Sequence, residues 1–201
     1  MIPLFHDFDG KQVLIFGGGL VAARKAALFA PEADVIVRSR EFIDRFSKID
    51  CRCIRTDIDP DLAAQYVDSA FLVIPATDDQ PLNDRLAEAA NAVGALVNRV
   101  DEIGETVTPS VISGDHVTVG FSTGGASPAV SKYLRRRLED EIEAIDPMVA
   151  LQSELRETVG NVPESERRAF LWAVLEDDRI RSALRDGDWD RARTLAEAHR
   201  P

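Results

Sequence analysis

Lysine is almost missing from this 201-residue chain: it stands only at Lys11, Lys25, Lys48 and Lys132, so the basic side chains are nearly all arginine. Cysteine is as scarce, with Cys51 and Cys53 alone, which excludes a disulfide framework. The CRC spacing puts both thiols on one face of a strand, too close in sequence for a metal pair, and they are expected to be buried free thiols. His6, His116 and His199 are scattered without helical spacing, so no metal site is expected. No apolar run approaches the roughly 18 residues of a membrane helix, and MIPLFHDFDG lacks the basic-then-apolar order of a secretory leader. A cytoplasmic chain with no membrane partner is expected. Asp and Glu outnumber Lys and Arg by 35 to 24, a formal charge of −11 at pH 7, which argues against non-specific attraction to nucleic acid. An acidic, lysine-poor surface suits either concentrated salt, where screening acts within about 3 Å at 1 M, or an ordinary acidic protein.

What is present begins with glycine. The stretch VLIFGGGLVAARK, from Val13 to Lys25, joins an apolar run to three glycines and then to alanine-rich, helix-forming chain. A tight strand-to-helix turn explains one glycine, because glycine supplies backbone angles that a side chain forbids, but not three. Close approach of bare N–H groups at a helix N-terminus to a phosphate explains them all. Gly17, Gly19 and Ala22 take the small positions of G-x-G-x-x-G/A, which serve the turn, the approach to pyrophosphate and the packing of helix on strand. Dinucleotide binding is therefore expected here.

From residue 11 to 98 short β-rich runs alternate with helical ones: KQVLIF, LVAARKAALFA, ADVIVRS, EFIDRFSKI, CRCIRTDI, PDLAAQYVDS, AFLVIPATDD, PLNDRLAEAANAVG and ALVNRV. This is the alternation of parallel βαβ units, and the nearly continuous apolar runs VLIF and FLVI fit strands covered on both faces. Ligands of such sheets lie beyond the carboxyl ends of the strands. Thr77 and Asp78 in PATDD and Asn98 in NRVD are thus expected to face the same crevice as the glycines. After Asp101 the texture changes to two strand-like pieces, TVTPSVISGD and HVTVGFST, then GGASP and an amphipathic helix with Val130, Tyr133, Leu134, Leu138, Ile142 and Ile145 on one stripe. That stripe needs a partner surface, which dimerisation would supply. From Asp146 onward the chain reads as helices only.

Taken in order, GGGLVAARK, VIVRSRE, VIPATDD with Asn83, VNRVD and PSVISGDHVTVGFSTGGASP resemble the precorrin-2 dehydrogenase family, which includes the N-terminal module of siroheme synthase. The resemblance runs from about Ile2 to Ile145; the helical tail matches only in character. It implies an α/β fold with a Rossmann-type parallel sheet over residues 1–112, a small α+β dimerisation domain over 113–146 and a helical C-terminal domain over 147–201. It also implies NAD-dependent oxidation of precorrin-2 to sirohydrochlorin by a homodimer, with the tetrapyrrole between the nucleotide and dimerisation domains. Some members also insert ferrous iron.

The family's phosphate-binding turn falls on Gly17, Gly18, Gly19, Leu20 and Val21, and its functional aspartate on Asp101. Independently of the family, Asp101 follows the strand-like ALVNRV at the edge where a cofactor lies. Removing two electrons from a tetrapyrrole needs a hydride acceptor and a route for a proton, which a carboxylate supplies. A helix cap or loop acid is the alternative. Ser122, Thr123, Gly124 and Ser127 in FSTGGASP form a second anion nest, expected to meet substrate carboxylates, the alternative being a glycine turn with an N-capping serine.

A strict NAD fingerprint has an acid about 20 residues after the glycines; this chain has Arg38, Ser39 and Arg40. The arginines suit the 2′-phosphate of NADP, whereas Ser39 or Glu41 suits an unmodified ribose, and the family points to NAD. Two other readings stay open. An NAD-sensing module of an ion transporter would resemble the chain only to about Val100; a chelatase without a redox step sits poorly with an intact glycine turn.

Overall fold

The computed structural model describes residues 3–99, 106–160 and 162–201, in two compact units, 1–108 and 109–201. In the first, β1 (Gln12–Phe16), β2 (Asp34–Ser39), β3 (Arg52–Arg55), β4 (Leu72–Pro75) and β5 (Leu96–Val97) form a sheet in the order β3-β2-β1-β4-β5. Every pairing is parallel. Side chains alternate between two cores: Val13, Ile15, Val37 and Ile74 meet Ala22, Ala23 and Ala26 of α1 (Leu20–Phe29), while Leu14, Phe16 and Val73 meet Leu82, Leu86 and Ala90 of α3 (Gln80–Ala92). Burial on both faces is why VLIF shows no polar alternation. Ala22, Ala23 and Ala26 have no exposed surface, which lets α1 lie close on the sheet and brings its N-terminus to the end of β1.

Two expected helices are reduced. EFIDRFSKI contains only a 3-10 turn, Asp44–Lys48. Its apolar residues have helical spacing, but the Ile43 N–H donates to the Gly18 carbonyl at 3.1 Å, and Ile43 is extended, with φ −71° and ψ 156°. The segment is tied to the glycine turn before a helix can start, and Phe42 and Phe46 satisfy their burial against each other and the sheet. PDLAAQYVDS gives a 3-10 turn running into the single-turn α2 (Ala63–Tyr66). The expectation of two buried thiols is also corrected: Cys53 is exposed and Cys51 half-buried, their sulfurs 3.8 Å apart, because β3 is the sheet edge. Burial, then the neighbouring Cys53, pushes the Cys51 thiol up to about 12.

In the second unit β6 (Ser110–Ser113) and β7 (Thr118–Phe121) form an antiparallel hairpin. It is followed by α4 (Pro128–Thr158), α5 (Glu164–Glu176), α6 (Asp178–Arg185) and α7 (Trp189–Glu197). The boundary expected between 146 and 147 falls inside α4, which continues through Pro147. An interior proline costs about 3 kcal/mol; here burial on both sides offsets it. Before Pro147, buried Asp146 accepts the N–H groups of Asp115, His116 and Val117 at 3.1, 2.9 and 2.7 Å. After it, Met148, Leu151 and Leu155 pack with Phe170, Val174, Ile180 and Leu184 in one core. Asp177 ends α5 and caps α6, accepting the Arg179 N–H at 2.9 Å, so the residues from Glu164 to Arg185 form two helices rather than one. Among the described residues no helix is long and apolar enough to cross a membrane.

Candidate functional site

The glycine turn opens on a crevice of about 1200 Å³ at the carboxyl edge of the first unit's sheet, lined from the ends of β1, β2 and β4 and from the chain after β3. Each glycine has its own reason. Gly17 has φ +123°, and a Cβ there would run into the Ala76 carbonyl, so it serves the turn and the neighbouring strand. A Cβ on Gly18 would meet the Glu41 carbonyl and the Ser39 hydroxyl. The motif leaves that position unconstrained; here the loop after β2 fixes it. Nothing lies within 4 Å of a Cβ on Gly19, so no contact within the chain requires glycine there. Gly19 is also the N-cap of α1 and has no side chain to cap it, so the first-turn N–H groups of Leu20 and Val21 receive no side-chain cap. The Leu20 side chain is exposed.

Across the crevice, PATDD is held by a residue whose role the sequence leaves unassigned. Asn83, 2% exposed, accepts the Thr77 N–H and hydroxyl through Oδ1 at 3.2 and 2.7 Å and donates from Nδ2 to the Thr77 carbonyl at 3.0 Å. Asp79 caps α3 by accepting the Leu82 N–H at 3.1 Å. The Asp-x-Pro order of Asp79 to Pro81 is a start signal that could have identified this cap. Thr77 and Asp78 therefore line the crevice together with the glycines, Ser39 and Arg40.

Asn98 sits elsewhere in the network. It is buried, and its Oδ1 accepts from Lys25 Nζ at 2.7 Å and the Thr108 hydroxyl at 2.9 Å, while Nδ2 donates to the Thr106 carbonyl at 2.8 Å. Its polar atoms thus brace the strand end and the chain at 106–108 rather than facing the crevice. Lys25 is held down to about 8, first by burial and then by the charge of Arg24. Asp101 lies outside the described residues.

In the second unit FSTGGASP forms a compact turn ahead of α4. Gly124 and Gly125 have φ +59° and +81°. The Ser122 hydroxyl accepts the Gly124 N–H at 3.2 Å, Thr123 accepts the Ser127 N–H at 3.0 Å, and Ser127 caps α4 through the Val130 N–H at 3.4 Å. Each hydroxyl thereby accepts from backbone and keeps its own proton to donate.

Residues 4–110 match a family model described as "Putative NAD(P)-binding". Over 190 residues the chain is 38% identical to the precorrin-2 dehydrogenase of Methanosarcina barkeri, covering 89% of this chain and 84% of that one. It is 31% identical over 209 residues to the siroheme synthase of Stutzerimonas stutzeri, covering 98% of this chain but 43% of the longer relative. The solved structure of SirC, a precorrin-2 dehydrogenase, superposes with a TM-score of 0.75 over 98% of this chain and all of that one, at 24% identity, a likeness of fold. The likeness in sequence extends past the nucleotide sheet through the hairpin and the helices, and on that ground the chain belongs to the precorrin-2 dehydrogenase family.

Proposed function

We propose that this chain oxidises precorrin-2 to sirohydrochlorin, with NAD as the electron acceptor, in siroheme biosynthesis. The observation that carries the reading is the open approach at Gly19, backed by an uncapped helix entrance, in a chain 38% identical to a precorrin-2 dehydrogenase over 89% of its own length and 84% of that relative's. NAD, when bound, supplies the hydride acceptor. Gly17, Gly18 and Gly19 bring the backbone to its pyrophosphate, and Thr77 and Asp78 form the facing wall. Asp101 takes the proton released as the macrocycle is oxidised, the role that the family resemblance gives it. Ser122, Thr123, Gly124 and Ser127 donate to substrate carboxylates.

A homodimer fits the exposed stripe of α4, where Val130, Tyr133 and Leu138 are 47, 63 and 37% exposed. Such side chains, in sequence with a polar surface around them, favour a protein partner. A cytoplasmic location accords with free thiols and a nicotinamide cofactor. Ferrous iron insertion into the product is a second step in this reading, since metal insertion also needs a base facing the macrocycle; the relatives named siroheme synthase support it.

Gly19→Asp tests the proposal. A carboxylate placed where pyrophosphate must approach should abolish NAD binding and precorrin-2 oxidation together in a folded protein. Retained NAD affinity would place the cofactor elsewhere.

A further inference from the structure

Nucleotide choice in this crevice turns on the end of β2. In doubly wound sheets the residue there meets the adenosine ribose: an acid holds the free hydroxyls, whereas an arginine accommodates a 2′-phosphate. Here β2 ends in Arg38 and Ser39, with Arg40 next. Arg38 is turned away. Its guanidinium lies 5.2 Å from the centroid of the Tyr66 ring, and it is not among the crevice residues. Arg40 does line the crevice, and its Nε donates to Oδ1 of Asp57 at 2.6 Å. Asp57, which follows β3, lines the same crevice, as do Glu41, Asp78 and Asp79, so four carboxylates line it against one cation.

We propose that Asp57 sets the cofactor preference: by pairing with Arg40 at the ribose end it supplies the acid that β2 lacks, denies the arginine to a 2′-phosphate, and makes the crevice selective for NAD over NADP. This rests on the reading of the crevice as a nicotinamide dinucleotide site. Both partners are 76% exposed, so the pair adds little to folding, and its consequence is the local field. A 2′-phosphate brings close to two negative charges into a rim already acidic. Asp57→Asn removes one of the four carboxylates and leaves the Arg40 charge without its ionic partner, which lowers the repulsion on a 2′-phosphate, and Asp57→Ser also takes away the oxygen that accepts from Nε. For a dianion a few ångströms away in partly screened surroundings this changes relative affinity by about tenfold.

The test is fluorescence titration of the full chain with NADH and with NADPH, for the wild type, Asp57→Asn, Asp57→Ser, and Asp57→Asn combined with Arg40→Ala. The wild type should prefer NADH. Asp57→Asn should raise the ratio of NADPH to NADH affinity about tenfold at low salt, and Asp57→Ser should do the same. Adding Arg40→Ala should erase the gain, since the freed guanidinium carries it. An unchanged ratio in both Asp57 variants, or a gain that survives loss of Arg40, overturns the proposal and leaves the dinucleotide site standing. A wild type that binds neither nucleotide overturns the site and the proposal together.

Discussion

Replacing Asp146 with alanine should unfasten the β6–β7 hairpin from α4. The carboxylate is 6% exposed and accepts three backbone N–H groups, two on Oδ1 and one on Oδ2. Hydrogen bonds to a charged group contribute about 1.5–3 kcal/mol each. Asp115 and His116 are exposed, so water replaces much of what those two donors lose, and the full sum overstates the effect. A net loss of about 2–4 kcal/mol follows. Asp146→Asn keeps an oxygen for His116 and Val117 but turns an NH2 toward the Asp115 N–H, so it should lose roughly half as much.

Both tryptophans, Trp172 and Trp189, lie in this unit, so urea unfolding followed by their fluorescence reports it directly. The pH dependence has a definite sign. Burial raises the Asp146 pKa, and the three N–H donors more than reverse this, leaving it below the ordinary range. Its stabilisation is full above the unfolded value of about 3.9 and is lost as pH falls through the folded one. The alanine variant should lack that part of the acid slope. An alanine variant within about 0.5 kcal/mol of wild type at neutral pH would refute the assignment.

Gly18→Ala should lower the melting temperature of the nucleotide-binding unit because its methyl meets the Glu41 carbonyl, whereas Gly19→Ala should melt as wild type and lose nucleotide affinity; calorimetry with and without NAD separates them. Lys25→Met should change the alkaline stability profile. In the wild type the cost of a buried ammonium is present below about pH 8 and disappears between there and the unfolded value of about 10.4, so wild type gains on the variant as pH rises through that window. Asp101→Ala should retain NAD binding and thermal stability while turnover falls by roughly 10²–10⁴-fold, the usual worth of a positioned acid or base. A destabilised but fully active variant would make Asp101 structural.

The sheet was legible because its strands are buried on both faces and its punctuation is strong, as in VLIF followed by three glycines. Gly17, which the turn requires, was legible for the same reason. Gly18 was not, since its constraint comes from a carbonyl 23 positions on, at Glu41. The pairing of Arg40 with Asp57 was not legible, because Asp57 arrives from beyond the next strand. Asn98 occupies the strand end where a ligand contact is expected, yet its bonds go to Lys25, Thr106 and Thr108, pairings that no local pattern announces. The helix through Pro147 went unread because proline is a local signal, while Asp146 and Met148 hold their places through contacts distant in sequence.

Mixing the purified chain anaerobically with precorrin-2 and NAD, while following the absorbance of NADH and of the macrocycle, tests the central claim most directly. The account predicts equimolar appearance of NADH and sirohydrochlorin, dependent on enzyme and abolished by Gly19→Asp. Sirohydrochlorin forming no faster with the enzyme than without it, or forming without reduction of the nucleotide, would contradict it.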